Sequence, residues 1–164
     1  MPRYNPQGRT RVYWVTTLPA PSAPTAAQIS AGVRLDEFIV PDSIAGFTAE
    51  PQSVDATDLA ATRAKSVPGL ASITNGAITM FRGDDSADDE ADLLDDFNDA
   101  LAAHTQGWVV FVLSGTVATG ELVDVWPAEV ASVNPTPPAG GTVGRFVVGF
   151  THPADAVINV PIHA

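Results

Sequence analysis

Short runs of β-branched and aromatic residues alternate along this chain with stretches rich in Pro, Gly, Ser and Asp, a pattern that predicts many strands joined by turns. After a polar, proline-bearing stretch at the N-terminus, Arg11 to Thr16 (RVYWVT) reads as a strand. Leu18 to Thr25 holds three prolines and reads as a loop. Thr25 and Gln28 have capping-box spacing and Gly32 is a stop signal, so a short helix is predicted from Ala26 to Ala31. Val33 to Val40 reads as a strand, and Pro41 to Thr62 as a long, partly irregular connection. Asn75-Gly76, flanked by β-type residues from Ser72 to Phe81, predicts a hairpin with a two-residue turn. Trp108 to Leu113 is almost unbroken apolar sequence, which predicts a strand covered on both faces. Glu121 to Val133 alternates apolar and polar residues, with Pro127 marking an edge, a bulge or a break. Asn134 to Thr142 reads as a loop, and Arg145 to His152 and Val157 to Ile162 as the last two strands.

One segment changes period. From Ala87 to His104 apolar residues recur every three or four positions, which predicts an amphipathic helix whose core face holds Leu94, Phe97 and Leu101. Ser86 is placed to cap it, and Asp88, Asp89 and Glu90 suit the positive end of the helix dipole. This helix is the candidate cover for one face of the Trp108 strand. The pattern as a whole predicts a mainly β chain with one substantial helix.

Length and composition fit one domain over residues 11–164 with an arm over residues 1–10. The chain has 164 residues, and 45% of them are apolar against 16% charged, enough apolar surface to collapse around a core despite a formal net charge of -11. Nine of the nineteen acids lie between Asp84 and Asp99. The seven arginines are scattered and Lys65 is the only lysine, so no basic patch exists to hold phosphates and tight nucleic-acid binding is disfavoured. There is no cysteine, which excludes disulfides and thiolate-held metals. The N-terminus lacks the apolar core of a secretion signal, and no run is long enough to predict a membrane span, so a soluble protein is expected.

Candidate chemistry is sparse. Asp84, Ser86, Asp88 and Asp95 approach the spacing of a calcium loop, but Asp89 stands where glycine is needed, and a solvated acidic helix face explains them better. His104, His152 and His163 have no metal-ligand spacing. Ser114-Gly115 lacks the first glycine of a nucleophile elbow, since Val112 stands there. No set of nucleophile, base and orienter can be assembled, so no enzyme, cofactor or metal is expected. Trp14, Trp108 and Trp126 fit core or interface positions better than an exposed sugar-binding platform.

Three segments together carry a family resemblance: Trp14 followed by residues 24–35 (PTAAQISAGVRL), Val54 to Leu59, and a C-terminal half. That half contains Gly107-Trp108-Val-Val-Phe-Val, Gly120-Glu-Leu-Val-Asp-Val-Trp-Pro127 and Arg145-Phe-Val-Val-Gly-Phe150. In order and spacing the chain resembles the major tail proteins of siphoviruses, the tail tube subunits of long-tailed bacteriophages, particularly those infecting actinobacteria. The resemblance implies an antiparallel β-sandwich or split barrel flanked by one α-helix, located in the phage virion. It further implies hexameric rings that stack into a tube around a tape measure protein and meet a tail terminator and distal tail proteins, with double-stranded DNA passing through without specific binding.

Two stretches suit contacts between stacked rings, because they are polar, proline-bearing and poorly periodic. They are the arm, with Arg3, Tyr4 and Arg9, and the connection after Pro41, with Asp42, Ile44 and Phe47. A competing reading is a β-sandwich binding module that recognises carbohydrate on a virion or cell surface; it predicts small oligomers and exposed tryptophans rather than tubes.

Overall fold

The structure is a computed structural model that describes residues 10–55, 66–73, 75–81, 101–136 and 144–164. The expected helix face at Leu94 and Phe97, the arm residues Arg3, Tyr4 and Arg9, and the acidic cluster from Asp84 to Asp99 lie outside the described residues.

Strands β1 (Arg11–Val15), β2 (Val33–Arg34), β3 (Ile39–Ala45), β6 (Gly76–Phe81), β7 (Gln106–Val112), β8 (Leu122–Thr136) and β9 (Arg145–Thr151) join in one antiparallel sheet of order β2-β1-β7-β8-β9-β6-β3. An eighth strand, β10 (Val157–Pro161), pairs with the first part of β8. Strands β4 (Ala49–Asp55) and β5 (Ser66–Ile73) form a separate two-stranded sheet. Helix α1 (Ala26–Ser30) begins as its sequence dictates: Gln28 N donates to Thr25 Oγ1 at 3.3 Å, and Thr25 N donates to Gln28 Oε1 at 3.0 Å.

The sheet curls on itself. Trp14 on β1 and Phe150 on β9 are three strand steps apart, roughly 14 Å in a flat sheet, yet their ring centroids lie 5.7 Å apart. The first core therefore sits between two halves of one sheet. Val12, Trp14, Val109, Trp126 and Ala128 come from β1, β7 and the start of β8, and meet Ile78, Met80, Phe146, Val148 and Phe150 from β6 and β9. This is the expected sandwich-like arrangement. Leu101 joins the same core at 2% exposure. Beyond it, Leu101 to His104 forms a turn rather than a continuing helix, with His104 at φ 69 and its N–H donating to Val130 O at 2.7 Å.

A second core lies on the opposite face of β1, β7 and the start of β8. Val110, Val112, Val123 and Val125 pack there with Leu18, Ile29 of α1, Val160 and Ile162. The unbroken apolar run at Trp108 is thus covered on both faces, as its pattern requires. The cover of this second face is α1, the Leu18 loop and the C-terminal strand.

Three expectations need correction. Asn75-Gly76 does not turn a hairpin: β5 pairs with β4, while both edges of β6 are occupied by β3 and β9, which leaves no edge for β5. Over its described part, residues 41–55, the stretch after Pro41 is largely strand; β3 pairs with β6 across a register shift between Ile39 and Ile44, which accommodates Pro41 and the positive φ of 60 at Asp42. The strand expected over Val33 to Val40 is divided by a turn at Asp36 to Phe38. At Pro127 the edge alternative holds: β8 runs unbroken for 15 residues and bulges between Val130 and Ser132, while its side away from β7 is unpaired at Pro127.

The reason Pro127 is tolerated is positional. On the edge of β8 away from β7, β10 pairs no further along than Val125 and β9 begins at Glu129. Pro127 falls in the gap, where no ladder donor is required, and its carbonyl accepts a hydrogen bond from His152 Nδ1 at 2.9 Å.

Candidate functional site

The described residues bring no nucleophile, base and orienter together. Among the described residues no group of three or more His, Asp or Glu could hold a metal ion, and no buried polar or charged residue stands in the core. The most developed polar cluster is structural. Asp36 accepts from Arg11 Nη1 at 2.8 Å and from Arg34 Nε and Nη2, each at 2.9 Å, while Arg34 Nη1 also meets Glu37 at 2.7 Å. Burial raises the Asp36 pKa, but the hydrogen bonds from Arg34 and Arg11 outweigh it and hold the carboxyl below its ordinary value. The same hydrogen bond to Asp36 raises the pKa of Arg34. The cluster pins the turn after β2 to the start of β1.

The informative surfaces are edges and faces. Strands β8, β9, β6 and β3 form a four-stranded half-sheet. One edge is β3, and the other is Ala131 to Thr136 of β8, which β7 does not reach. One cross-strand row on its inner face runs Ile44, Ile78, Val148, Val133. The two central members are fully buried, while Ile44 and Val133, at the two edges, are each 40% exposed. Exposed apolar side chains at both ends of a buried row mark two surfaces that lack a neighbour.

The outer face of this half-sheet is close to neutral. Its outward positions are Ala77, Thr79 and Phe81 on β6, Ser132, Asn134 and Thr136 on β8, and Arg145, Val147, Gly149 and Thr151 on β9. Glu129 on β8 lies opposite Thr151 on the same face, so the charges among these positions are Glu129 and Arg145, one of each sign, and Arg145 stacks 5.5 Å from the Phe81 ring centroid.

The other candidate residues are distributed differently. Asp42 is exposed at the β3 bulge. Phe47 is engaged within its own chain, with ring centroids 5.2 Å from Phe111, 5.7 Å from Trp126, 6.0 Å from Phe150 and 5.2 Å from His152. Leu101 is core. The sequence alone could not single out Val133: the bulge between Val130 and Ser132 sets it on the inner-face row, and its exposure follows from the edge of β8 that β7 does not reach.

A half-sheet with two open edges and an apolar residue exposed at each is the surface of a β protein built to assemble. The family model for phage tail tube proteins matches residues 1–164, and the chain belongs to that family. It is a structural subunit of the phage tail tube, a component of the virion tail. No curated protein matches. The fold is similar to a chain in the sheath/tube terminator structure of the PVC extracellular contractile injection system in its extended state. That match has TM-score 0.63 and 11% identity, and covers 96% of this chain and 98% of that one. It is similar also to a chain in the six-fold symmetrised baseplate of the anti-feeding prophage, at TM-score 0.59 and 10% identity, covering 96% and 95%. A chain in the PVC sheath-tube complex matches at TM-score 0.56 and 12% identity, covering 98% and 91%.

Proposed function

We propose that the chain closes into rings, hexameric by the resemblance to siphovirus tail proteins, by joining the β3 edge of one half-sheet to the β8 edge of the next. The observation that carries this is the row Ile44–Ile78–Val148–Val133, buried at its centre and open at both ends. Four alternating antiparallel strands put β3 and β8 in opposite directions, so a neighbour's β8 docks antiparallel to β3 and continues the alternation. The contact is head-to-tail, so it propagates around an axis and removes both edges on closure. Ile44 then serves within the ring, while Asp42 at the bulge and the arm residues Arg3, Tyr4 and Arg9 are left for contacts between rings.

The outer face lines the bore in this arrangement, because the rest of each subunit packs on the inner face and several such bodies cannot fit inside the ring. A nearly neutral, polar lining suits a conduit for double-stranded DNA, since it offers few cations to hold phosphates. Rings stack around a tape measure protein, between a terminator and distal tail proteins, and the role needs no cofactor and no catalytic step. Negative-stain microscopy of the purified chain tests the reading: hollow tubes or stacked rings are expected. Ile44→Asp and Val133→Asp should each keep the folded circular dichroism spectrum and lose the rings. Rings that persist in both variants, or small compact oligomers from the unmodified chain, would remove the basis for edge-to-edge closure.

A further inference from the structure

An open groove of about 360 Å³ lies at the end of the β1–β7 pair where β7 begins. Its lining is mostly apolar: Pro21, Trp108, Pro127, Pro153 and Val157 form it, with Asp155 at the rim. Trp108 is half-buried and Asp155 exposed. Gln106, also in the lining, donates to Glu129 at 3.2 Å, which brings a second carboxylate close. An aromatic ring set among prolines beside acids is a surface that takes extended, proline-bearing, basic peptide.

The chain itself contains such a segment. Residues 1–9 (MPRYNPQGR) carry Pro2, Tyr4 and Pro6 together with Arg3 and Arg9, and no acid, in a chain whose net charge is -11. The register of β1 on β7 fixes where this segment leaves. Arg11 pairs with Val112 and Val15 with Trp108, so the point from which residues 1–9 extend is at the end opposite the groove, about 13 Å away along the strand. The attachment point of residues 1–9 is thus remote from their own groove. A subunit stacked in the same orientation presents its groove end toward them.

We propose that this groove receives residues 1–9 of a subunit in the adjacent ring, the prolines and Tyr4 packing on Trp108 and its neighbouring prolines, and an arginine meeting Asp155. The proposal rests on the tube reading and gives that assembly its ring-to-ring joint. An arm and a groove at opposite ends of one strand pair are complementary only by translation, so the contact repeats along a stack without limit.

The chain has no cysteine, which makes cross-linking direct. Subunits carrying Tyr4→Cys are mixed with subunits carrying Ala154→Cys, a solvent-exposed groove position, then assembled and oxidised. Covalent dimers are expected from this mixture, and none when Ser114→Cys, just beyond the arm's own end of β7, replaces Ala154→Cys. Tubes that yield no dimer, or equal dimer from Ser114→Cys, overturn the proposal, as does a closed monomer from the chain carrying both Tyr4→Cys and Ala154→Cys. Should the variants fail to assemble, hydrogen exchange of the unmodified protein decides: amides of Ala154 to Ala156 slow on passing from subunit to tube, and unchanged exchange in visible tubes overturns it. If the unmodified chain forms no tubes, the tube reading falls first and the arm joint with it.

Discussion

The Phe47 ring occupies the space that a side chain on Gly76 would need: a β-carbon added there would stand 2.9 Å from Phe47 Cζ and 3.1 Å from His152 Nε2. Glycine at the start of β6 thus serves packing, since Gly76 is not among the glycines of positive φ. Gly76→Ala is expected to destabilise the subunit by about 1–3 kcal/mol through overpacking, measured by chemical denaturation. Gly149→Ala is the contrast: its β-carbon meets the mobile tip of Ser132 at 2.8 Å, which can rotate away, so the cost should be smaller.

Leu101 anchors the chain onto the first core just before β7. Leu101→Ala should cost about 2–5 kcal/mol, read as a lower denaturation midpoint with an unchanged slope. No loss of stability would remove Leu101 from the set of core anchors.

The Asp36 cluster predicts acid sensitivity of one sign. Its carboxyl titrates in the folded subunit below its usual value of 3.8, so the stabilisation is complete above that value and is lost as pH falls through the lower folded one. Unfolding should therefore become easier below about pH 4, and the Asp36→Asn variant, less stable at neutral pH, should show a shallower acid dependence. An identical acid profile in the two proteins would separate Asp36 from acid stability.

Thr79 and Asn134 both pair with Val147 and lie in one row across the outer face. Thr79→Lys and Asn134→Lys would each place a ring of cations on the bore, repeated at every level of the stack. Assembly should survive, while DNA ejection slows at low ionic strength and recovers as salt rises. Ejection kinetics independent of both substitution and salt would contradict the placement of this face in the bore.

Local signals made part of this fold readable. Thr25 and Gln28 cap α1 through side chains three residues apart, and the run at Trp108 declares two-sided burial by its lack of polar interruptions. What stayed hidden depends on distant partners. Pro41 and Asp42 look like loop residues because they occupy a bulge on an edge strand, where missing donors and positive φ are tolerated. Asn75-Gly76 carries the chemistry of a tight turn, but neighbouring strands decide which edges are free, and β3 and β9 hold both edges of β6. The assembly row was invisible for the same reason, since Ile44 and Val133 are 89 positions apart in sequence and become ends of one line only through three strand pairings.

Pro127 also separates the berths of the two last strands on β8. Two later segments, β9 and β10, dock against the same edge of β8, and each could slide along it if every residue offered a hydrogen-bond donor. An imino acid between their berths leaves one rung that neither can complete, so β9 sliding toward the beginning of β8, or β10 sliding toward its end, loses a bond at Pro127. A single missing hydrogen thereby keeps two strands from competing for one template.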